Sequence, residues 1–507
     1  MFIRFPALPA IAFALAQFMT SSLQPLRAAS PEDFGFGVLK ANGQAVIGSI
    51  PLLVVAYELS PGSSPDGSVR QPLVPNLATT LGQLIFNFFS FPSVNGYFLE
   101  NSHGAFFWQN AGVLGPVALD ASETATLYAT HSDDDGNSQN ADQTHLDSAA
   151  GFNYLLGLIA TKTGYNFAQW DSNGDGSITQ DELSIMVIGN HSHLDDPAHP
   201  ATSTSSSRYG ANRPIGNTLT SVLVPGQNVT LRVKVASLDN RASFMTIAHE
   251  LSHSLGTSDL YGPGDFSAGL TLMGSTIFGQ DDDRRTVHFD PWHKMRFGWV
   301  RPRIFALEAG GVAGVTASQF SPANTPVILY DPARGTSEYF IVEFRNSAPT
   351  GGGGHDTDLR YTPSSGLVVW HVVPGNDPPA FHEGAPNLSM GGNALWNQEQ
   401  TTPLLRWRDG TVSATQLSLL RVAPDGREMT FEWITASDTW VDFNSPGFPF
   451  FPETGTFGFP FNTVAEGVGS ASHGGTLHLK SATSSERPTI TKRLLLVAEG
   501  GPVTIGQ

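Results

Sequence analysis

The chain has 507 residues, which is too long for one compact hydrophobic core and indicates roughly two to four domains. Its net charge of -18 argues against general nucleic-acid binding, which needs a basic surface, and its lack of cysteine excludes disulfides and thiolate metal sites. Hydrophobic residues make up 40% of the chain and charged residues 14%, with 53 glycines and 35 prolines. This composition indicates a turn-rich, β-heavy globular protein and not a disordered one.

The N-terminal segment has the layout of an export signal. Arg4 is followed by an apolar run to about Met19, and the small residues Ala28 and Ala29 come next. This order predicts a signal peptide over residues 1–29; the alternative is an ordinary buried N-terminal segment. The run is short and contains prolines, so we expect no transmembrane segment after signal removal. The protein is then expected to be secreted or held at the cell surface.

The next segments predict a mixture of strands and helices. Ala45–Leu59 has a β-branched, apolar core and reads as a buried strand. Leu81–Phe91 predicts a helix that opens on Thr80. Aromatic and small residues separated by glycine predict paired strands within Ser93–Leu119, and Asp147–Tyr165 predicts another helix.

A calcium-binding loop is predicted at Asp171–Glu182, which reads DSNGDGSITQDE. Gly176 stands where such loops turn sharply. The alternative is an Asn/Gly/Asp turn without an ion. Because the sequence contains one such loop, a structural calcium is favoured over a paired sensor. The expected oxygen ligands are Asp171, Asn173, Asp175, the Ser177 carbonyl and a bidentate Glu182.

The stretch between this loop and the next motif predicts further β-structure. Leu183–Ile188 reads as a core strand. Asp195–Asn217 is rich in Pro, Ser, Thr, Asn and Gly, and reads as an exposed insertion. Thr218–Leu238 alternates in the manner of a β-hairpin with its turn at Pro225–Asn228.

A zinc centre is predicted at H-E-x-x-H-x-x-G-x-x-D, which spans residues 249–259. Residues four apart share one face of a helix, so His249 and His253 can offer two imidazoles to one metal ion. Gly256 can take the left-handed turn that ends the helix and brings Asp259 back as a third ligand. Two imidazoles and a carboxylate suit zinc and leave a fourth position for water. The predicted buried face comprises Phe244, Ile247, Ala248, Leu251 and Leu255.

The expected chemistry of this centre is metal-assisted hydrolysis. Zinc would lower the pKa of a water and polarise the substrate carbonyl, while Glu250 would act as the general base and then pass the proton to the leaving amine. Met273, in Leu272–Met273–Gly274, follows Asp259 by a short loop. Most methionines only fill a core, but this position resembles that of the methionine under the zinc of metzincin-type proteases, and the resemblance implies support below the site. The alternative for the whole motif is a surface helix with solvated histidines.

The rest of the chain predicts two β-rich units. Asp290–Val300 reads as a short helix that leaves the catalytic domain of residues 30–300. Alternating segments over residues 301–435 predict an all-β domain. Its Glu338, Glu343 and Arg345 are expected to form a structural ion-pair set; the alternative is a set of further cation ligands. Residues 436–507 carry short strand-like segments at regular spacing, which predict a small β module similar to the first turns of a parallel β-helix.

At several places the sequence resembles the immune inhibitor A family of secreted metallopeptidases. The similar segments are HELSHSLGTSDLYG, the LMG that ends at Gly274, KMRFGWV at Lys294–Val300, EYFIVEFR at Glu338–Arg345 and GLVVWHV at Gly366–Val372. The resemblance covers roughly residues 45–435. One departure is Thr257–Ser258, which stands where the family commonly has an apolar residue and a proline.

The resemblance implies a secreted, zinc-dependent endopeptidase that acts on proteins or peptides and binds calcium. By this resemblance, His249, His253 and Asp259 are expected to bind zinc, and Glu250 is expected to act as the general base. The expected fold is α+β, with a metzincin-like catalytic domain built on a twisted sheet and an active-site helix, followed by all-β C-terminal domains. Two alternatives stay open: a non-enzymatic, calcium-binding surface or adhesion protein on a protease-like fold, and a zinc hydrolase of small amides or esters.

Overall fold

The structure is a computed structural model of the full chain. It describes residues 29–36, 45–62, 70, 72–90, 92–130, 149–190, 210–213, 221–239, 242–257, 260, 270–274, 286–307, 315–317, 326–349, 354–356, 365–372, 395–396, 402, 405, 407–409, 413, 415–435, 438–445, 453–471, 475–491 and 494–506.

The described residues form a mixed α/β protein in which strands predominate. Its α-helices are α1 (Leu77–Phe86), α2 (Val94–Asn101), α3 (Ala121–Tyr128), α4 (Ala149–Thr163), α5 (Phe244–His253), α6 (Pro291–Phe297) and α7 (Val464–Ser470). Short 3-10 helices cover Pro31–Phe34 and Phe167–Trp170. Its strands are β1 (Gly48–Glu58), β2 (Phe106–Ala118), β3 (Ser177–Thr179), β4 (Ser184–Gly189), β5 (Gly210–Arg213), β6 (Val222–Leu223), β7 (Thr230–Arg232), β8 (Val235–Asp239), β9 (Arg303–Ala306), β10 (Val315–Ala317), β11 (Val327–Tyr330), β12 (Tyr339–Asn346), β13 (Ser365–Val372), β14 (Thr415–Val422), β15 (Met429–Thr435), β16 (Asp438–Val441), β17 (Thr476–Lys480), β18 (Thr483–Ser484), β19 (Leu495–Glu499) and β20 (Thr504–Ile505).

A five-stranded sheet organises the first part of the chain, in the order β2-β1-β4-β8-β5. Strands β2, β1, β4 and β8 are parallel, and β5 joins the β8 edge antiparallel. Strand β1 is an almost unbroken apolar run because both faces of the sheet are covered by helices. Its side chains Ile50, Leu52, Val54 and Ala56 pack with α1, α2 and α5, whereas Leu53, Val55, Tyr57 and Leu59 pack with α4 on the opposite face.

Several predicted elements are confirmed here. The strand predicted over Ala45–Leu59 is β1, the helix predicted over Asp147–Tyr165 is α4, and the strand predicted over Leu183–Ile188 is β4. The hairpin predicted over Thr218–Leu238 is confirmed for β6 and β7 only, since β8 leaves it and joins the main sheet in parallel with β4.

Three predictions about this region are wrong in part. Residues 94–101 form helix α2 and not a strand, because the Ser93 side chain caps it by accepting from the Gly96 amide. A Cβ at residue 96 would lie 2.6 Å from that hydroxyl, so the glycine belongs to the cap and not to a strand. The helix predicted over Leu81–Phe91 begins and ends earlier, as α1. The predicted insertion at Asp195–Asn217 contributes a sheet strand, β5.

The described part of residues 301–435 forms two sheets. One has the order β13-β12-β11-β9 and the other has the order β10-β15-β14. Side chains of β11 alternate between two cores: Val327 and Leu329 pack toward the second sheet, while Ile328 and Tyr330 pack toward α6 and the N-terminal segment. The core of this β-rich unit is therefore continuous with the last helix of the preceding domain.

The C-terminal unit consists mainly of parallel strands. Strands β16, β17 and β19 pair in parallel, and β18 pairs in parallel with β20. Helix α7 packs on this unit, so the prediction that both C-terminal units are all-β is wrong for the last one. Among the described residues of the whole chain, no helix is long and apolar enough to cross a bilayer.

Candidate metal centre

Helix α5 carries the histidine motif and packs on the same face of the main sheet as α1 and α2. Ser243 caps its N-terminus by accepting from the Thr246 amide. The predicted apolar face is confirmed: Phe244, Ile247, Ala248, Leu251 and Leu255 are buried in the core beneath the helix. Gly256 follows with φ of 96°, a left-handed conformation that ends the helix as predicted.

The two imidazoles of α5 point at each other through matching nitrogens. His249 Nε2 lies 3.2 Å from His253 Nε2, and the ring planes are almost perpendicular at 87°. Each Nδ1 contacts a backbone carbonyl: His249 Nδ1 lies 2.9 Å from the Leu272 oxygen, and His253 Nδ1 lies 3.1 Å from the Thr257 oxygen. Because a carbonyl oxygen only accepts, each Nδ1 must carry a proton for its contact to be a hydrogen bond.

In the tautomer with both protons on Nδ1, the two Nε2 lone pairs are directed into the same space. A cation between the two Nε2 atoms, either a metal ion or a proton shared in a hydrogen bond, removes the repulsion between these lone pairs. Tetrahedral zinc with Zn–N bonds of about 2.0–2.1 Å places two nitrogens about 3.3 Å apart, which matches the separation of the His249 and His253 nitrogens. Donation of the outer Nδ1–H to a carbonyl is the arrangement that metal-bound histidines adopt. The two residues therefore fit a zinc ion.

Two other predicted members of the centre are described, and one is not. Glu250 lies beside His249 on α5 and is 3% exposed. Met273 is fully buried in the core cluster that includes α5, and its predicted support of the site stays a prediction. Asp259, the predicted third ligand, lies outside the described residues. The described residues nearest to it in sequence are Thr257, which accepts from His253, and Leu260, whose amide donates to the Met273 oxygen at 2.9 Å.

The segment 270–274 fixes the orientation of His249. Leu272 receives the His249 Nδ1–H on its carbonyl oxygen, and its own amide donates to the His288 oxygen at 3.0 Å. The Thr271 hydroxyl donates to the buried Asp290 carboxylate at 2.7 Å. Sequence reasoning missed these contacts, because a backbone carbonyl accepts a proton whatever side chain its residue carries.

The charge on Asp290 is held inside the protein by its neighbours. Burial by itself raises the pKa of this carboxyl. His293 Nδ1, 2.7 Å away, and the hydrogen bonds from the His293 amide and Thr271 outweigh burial and hold the pKa below its usual range. Thr271 is therefore anchored to an ionised group.

The predicted calcium loop folds as a compact turn that is tied together by its own acidic side chains. Asp171 accepts from the amides of Asp175 and Gly176 at 3.1 Å and 2.9 Å. Glu182 accepts from the amides of Ser172 and Thr179 at 3.0 Å and 2.9 Å, so it joins the two ends of the loop. These hydrogen bonds outweigh partial burial and lower the pKa of Glu182.

Within the loop, Ser177–Thr179 form strand β3, which pairs in parallel with β7, and the loop is followed by strand β4 and not by a second helix. Gly176 has φ of 80°, as the sharp turn requires. The side chains at the predicted ligand positions Asp171, Asn173 and Asp175 offer oxygen donors, a set that suits calcium. An oxygen-only donor set with these spacings fits the ion.

The calcium loop and α5 are joined by Lys234. The Lys234 amide donates to the Gln180 side chain of the loop at 2.6 Å, and its ammonium lies 3.4 Å from the His253 carbonyl oxygen. A cation at the C-terminal end of a helix is favoured by the helix dipole. Burial lowers the pKa of Lys234.

Within the described residues, no group of three or more His, Cys, Asp or Glu side chains is gathered closely enough to hold a metal ion. Asp259 is outside that part of the chain, so the predicted three-ligand set stays a prediction. Comparisons of the chain with models of protein families and with curated proteins found no match.

Proposed function

We propose that the protein is a zinc-dependent endopeptidase that is exported from the cell and binds calcium structurally. The observation that carries the proposal is the pair of Nε2 atoms of His249 and His253, 3.2 Å apart, with both Nδ1 protons committed to backbone carbonyls. This arrangement presents a ready pair of ligands next to a buried carboxylate, Glu250. The resemblance to the immune inhibitor A family supports the same conclusion.

Each residue of the centre has a defined task in this proposal. His249, His253 and Asp259 hold zinc, which supplies Lewis acidity to a water and to the substrate carbonyl. Glu250 accepts the proton of the attacking water and delivers it to the leaving amine. The carbonyls of Leu272 and Thr257 keep both imidazoles in the tautomer that presents Nε2.

An extended peptide is favoured as substrate over a small amide because of the sheet edge beside α5. In the described sheet, β5 pairs on one side with β8 and forms the outer strand, and it contacts α5. An edge strand has unpaired backbone groups that can bind a substrate backbone as an added strand. The proposal also includes a metzincin-like fold for the catalytic domain of residues 30–300.

Metal removal and return test the proposed activity. We expect purified protein to contain about one zinc per chain and to cleave unfolded casein, to lose both after treatment with a chelator that strips zinc, and to regain cleavage on zinc addition in excess calcium. Calcium alone should not restore cleavage. Zinc-free protein that cleaves casein at the full rate would contradict the proposal. Zinc-bound protein that hydrolyses only small amides would favour the alternative hydrolase, and zinc-free, inactive protein with bound calcium would favour the adhesion protein.

Calcium is expected to stabilise the fold through the Asp171–Glu182 loop. A ligand that binds only the folded state at 100 times its Kd stabilises by about 2.7 kcal/mol, so the midpoint of thermal unfolding should rise with calcium. Glu182→Gln should lose most of this rise, because it removes the bidentate carboxylate. Asp181→Asn, an exposed neighbour outside the ligand positions, should keep it. An unchanged wild-type midpoint across a calcium titration would rule out the site.

A further inference from the structure

A buried arginine of the β-rich unit contacts the segment that orients the metal ligand His249. Arg345 lies on β12 and is fully buried. Its Nη1 atom donates to the Leu270 carbonyl at 2.7 Å, across 75 residues of sequence. Leu270 stands two residues before Leu272, whose carbonyl accepts the His249 Nδ1–H. The guanidinium is thus connected to the metal ligand through three residues of backbone.

A second chain of hydrogen bonds connects Arg345 to Leu272. Arg345 forms a bidentate ion pair with Asp356, in which Nε donates to Oδ2 at 2.7 Å and Nη2 donates to Oδ1. Asp356 Oδ1 accepts from the His288 amide at 3.0 Å, and the His288 carbonyl accepts from the Leu272 amide at 3.0 Å. Both backbone groups of Leu272 are therefore fixed, one by His288 and the other by His249.

The buried ion pair of Arg345 and Asp356 is stabilised in its charged form. Burial by itself would raise the pKa of Asp356, but the adjacent Arg345 guanidinium lowers it below its usual range. Glu343 adds a further contact to Nη1 at 3.2 Å and also accepts from the Trp370 indole. A lysine at position 345 would keep one charge but not the planar fork that satisfies Asp356 and Leu270 together.

We propose that Arg345 is a positioning residue for His249, acting through the backbone of 270–272 and through Asp356, so that the β-rich unit completes the metal centre of the preceding domain. This inference rests on the proposed zinc site. Its consequence is that zinc affinity depends on a residue that touches neither the metal nor the substrate. Loss of an outer-shell partner of a metal ligand typically weakens metal binding by about 10–100-fold.

The test is the zinc affinity of Arg345→Lys in the full-length protein, measured by competition with a chromophoric chelator. We expect the folded variant to bind zinc about 10-fold more weakly than wild type. Saturating zinc should then restore most of kcat. Arg334→Lys is the matched control, because Arg334 lies in the same unit, is partly exposed and pairs with Asp409 at the surface. It should bind zinc as wild type does.

A second readout separates positioning from general destabilisation. Nitrogen-15 spectra of the histidine rings should give His249 as the Nδ1–H tautomer in zinc-free wild type, with more of the Nε2–H tautomer in Arg345→Lys. A folded variant with wild-type zinc affinity and wild-type tautomer overturns the inference. Wild-type protein that binds no zinc refutes the proposed function instead.

Hydrogen exchange of the wild type covers the case in which Arg345→Lys does not fold. Zinc binding should protect the amides of Leu272, His288 and residues 343–346 together, because they form one connected unit. Protection confined to α5, with no change at residues 343–346, overturns the inference.

Discussion

Glu250→Gln is expected to lower kcat/KM for an unfolded protein substrate by about 10²–10⁴-fold, the usual contribution of a general acid–base group. Glutamine keeps the size and polarity of the side chain but cannot take a proton from water. Zinc content should stay at the wild-type level, since the ligands on either side of Glu250 are untouched. The measurement combines steady-state cleavage of casein with metal analysis of the same preparation.

The matched control is Glu428→Gln, which removes one carboxylate from an exposed turn of the β-rich unit. It should leave both cleavage and zinc content unchanged. Cleavage by Glu250→Gln at the wild-type rate, with zinc bound, would refute the assignment of the general base. Loss of zinc together with activity would show that Glu250 acts in metal binding.

His253→Ala is expected to weaken zinc binding by more than about 100-fold, the upper range for loss of an outer-shell partner, because a direct ligand is removed. His253 is the last residue of α5 and its side chain is only half-buried. Truncation therefore leaves little cavity in the core, and the variant should remain folded. Competition with a chelator measures the affinity, and thermal unfolding checks the fold.

The same titration examines the third ligand. Asp259→Ala should resemble His253→Ala in zinc affinity if the aspartate completes the set with His249. His478→Ala serves as control, since it removes an imidazole that stacks on Trp440 in the C-terminal unit. Wild-type affinity in Asp259→Ala would leave two histidine ligands and require the third from elsewhere in the chain.

The helix that carries the two histidines and the turn of the predicted calcium loop were predictable because their information is local. Helix geometry alone places His249 and His253 on one face, and the buried positions of α5 repeat at helical spacing. The turn at Gly256 follows from the one residue type that takes a left-handed conformation without cost. In the calcium loop, alternate oxygen donors and Gly176 occupy fixed offsets within twelve residues.

Helix α2 was missed for the opposite reason. Its aromatic residues Tyr97 and Phe98 are adjacent and both buried, a pattern that also occurs in strands. The decision between helix and strand rests on the Ser93 cap and on packing against Phe244 and Phe289, which lie far along the chain. Short apolar segments carry too little periodicity to settle such a choice.

The sequence by itself thus predicted which residues form the proposed metal centre. The tertiary structure determined the orientation and the hydrogen bonds of their side chains. His249 Nδ1 contacts the carbonyl of Leu272, and Arg345, 75 residues beyond Leu270, donates to the Leu270 carbonyl of the same segment. Carbonyl groups are common to every residue, so no sequence pattern marks the ones that hold a ligand. Only folding brings β12 against the segment 270–274 and aligns the two spaced histidines that we propose as metal ligands.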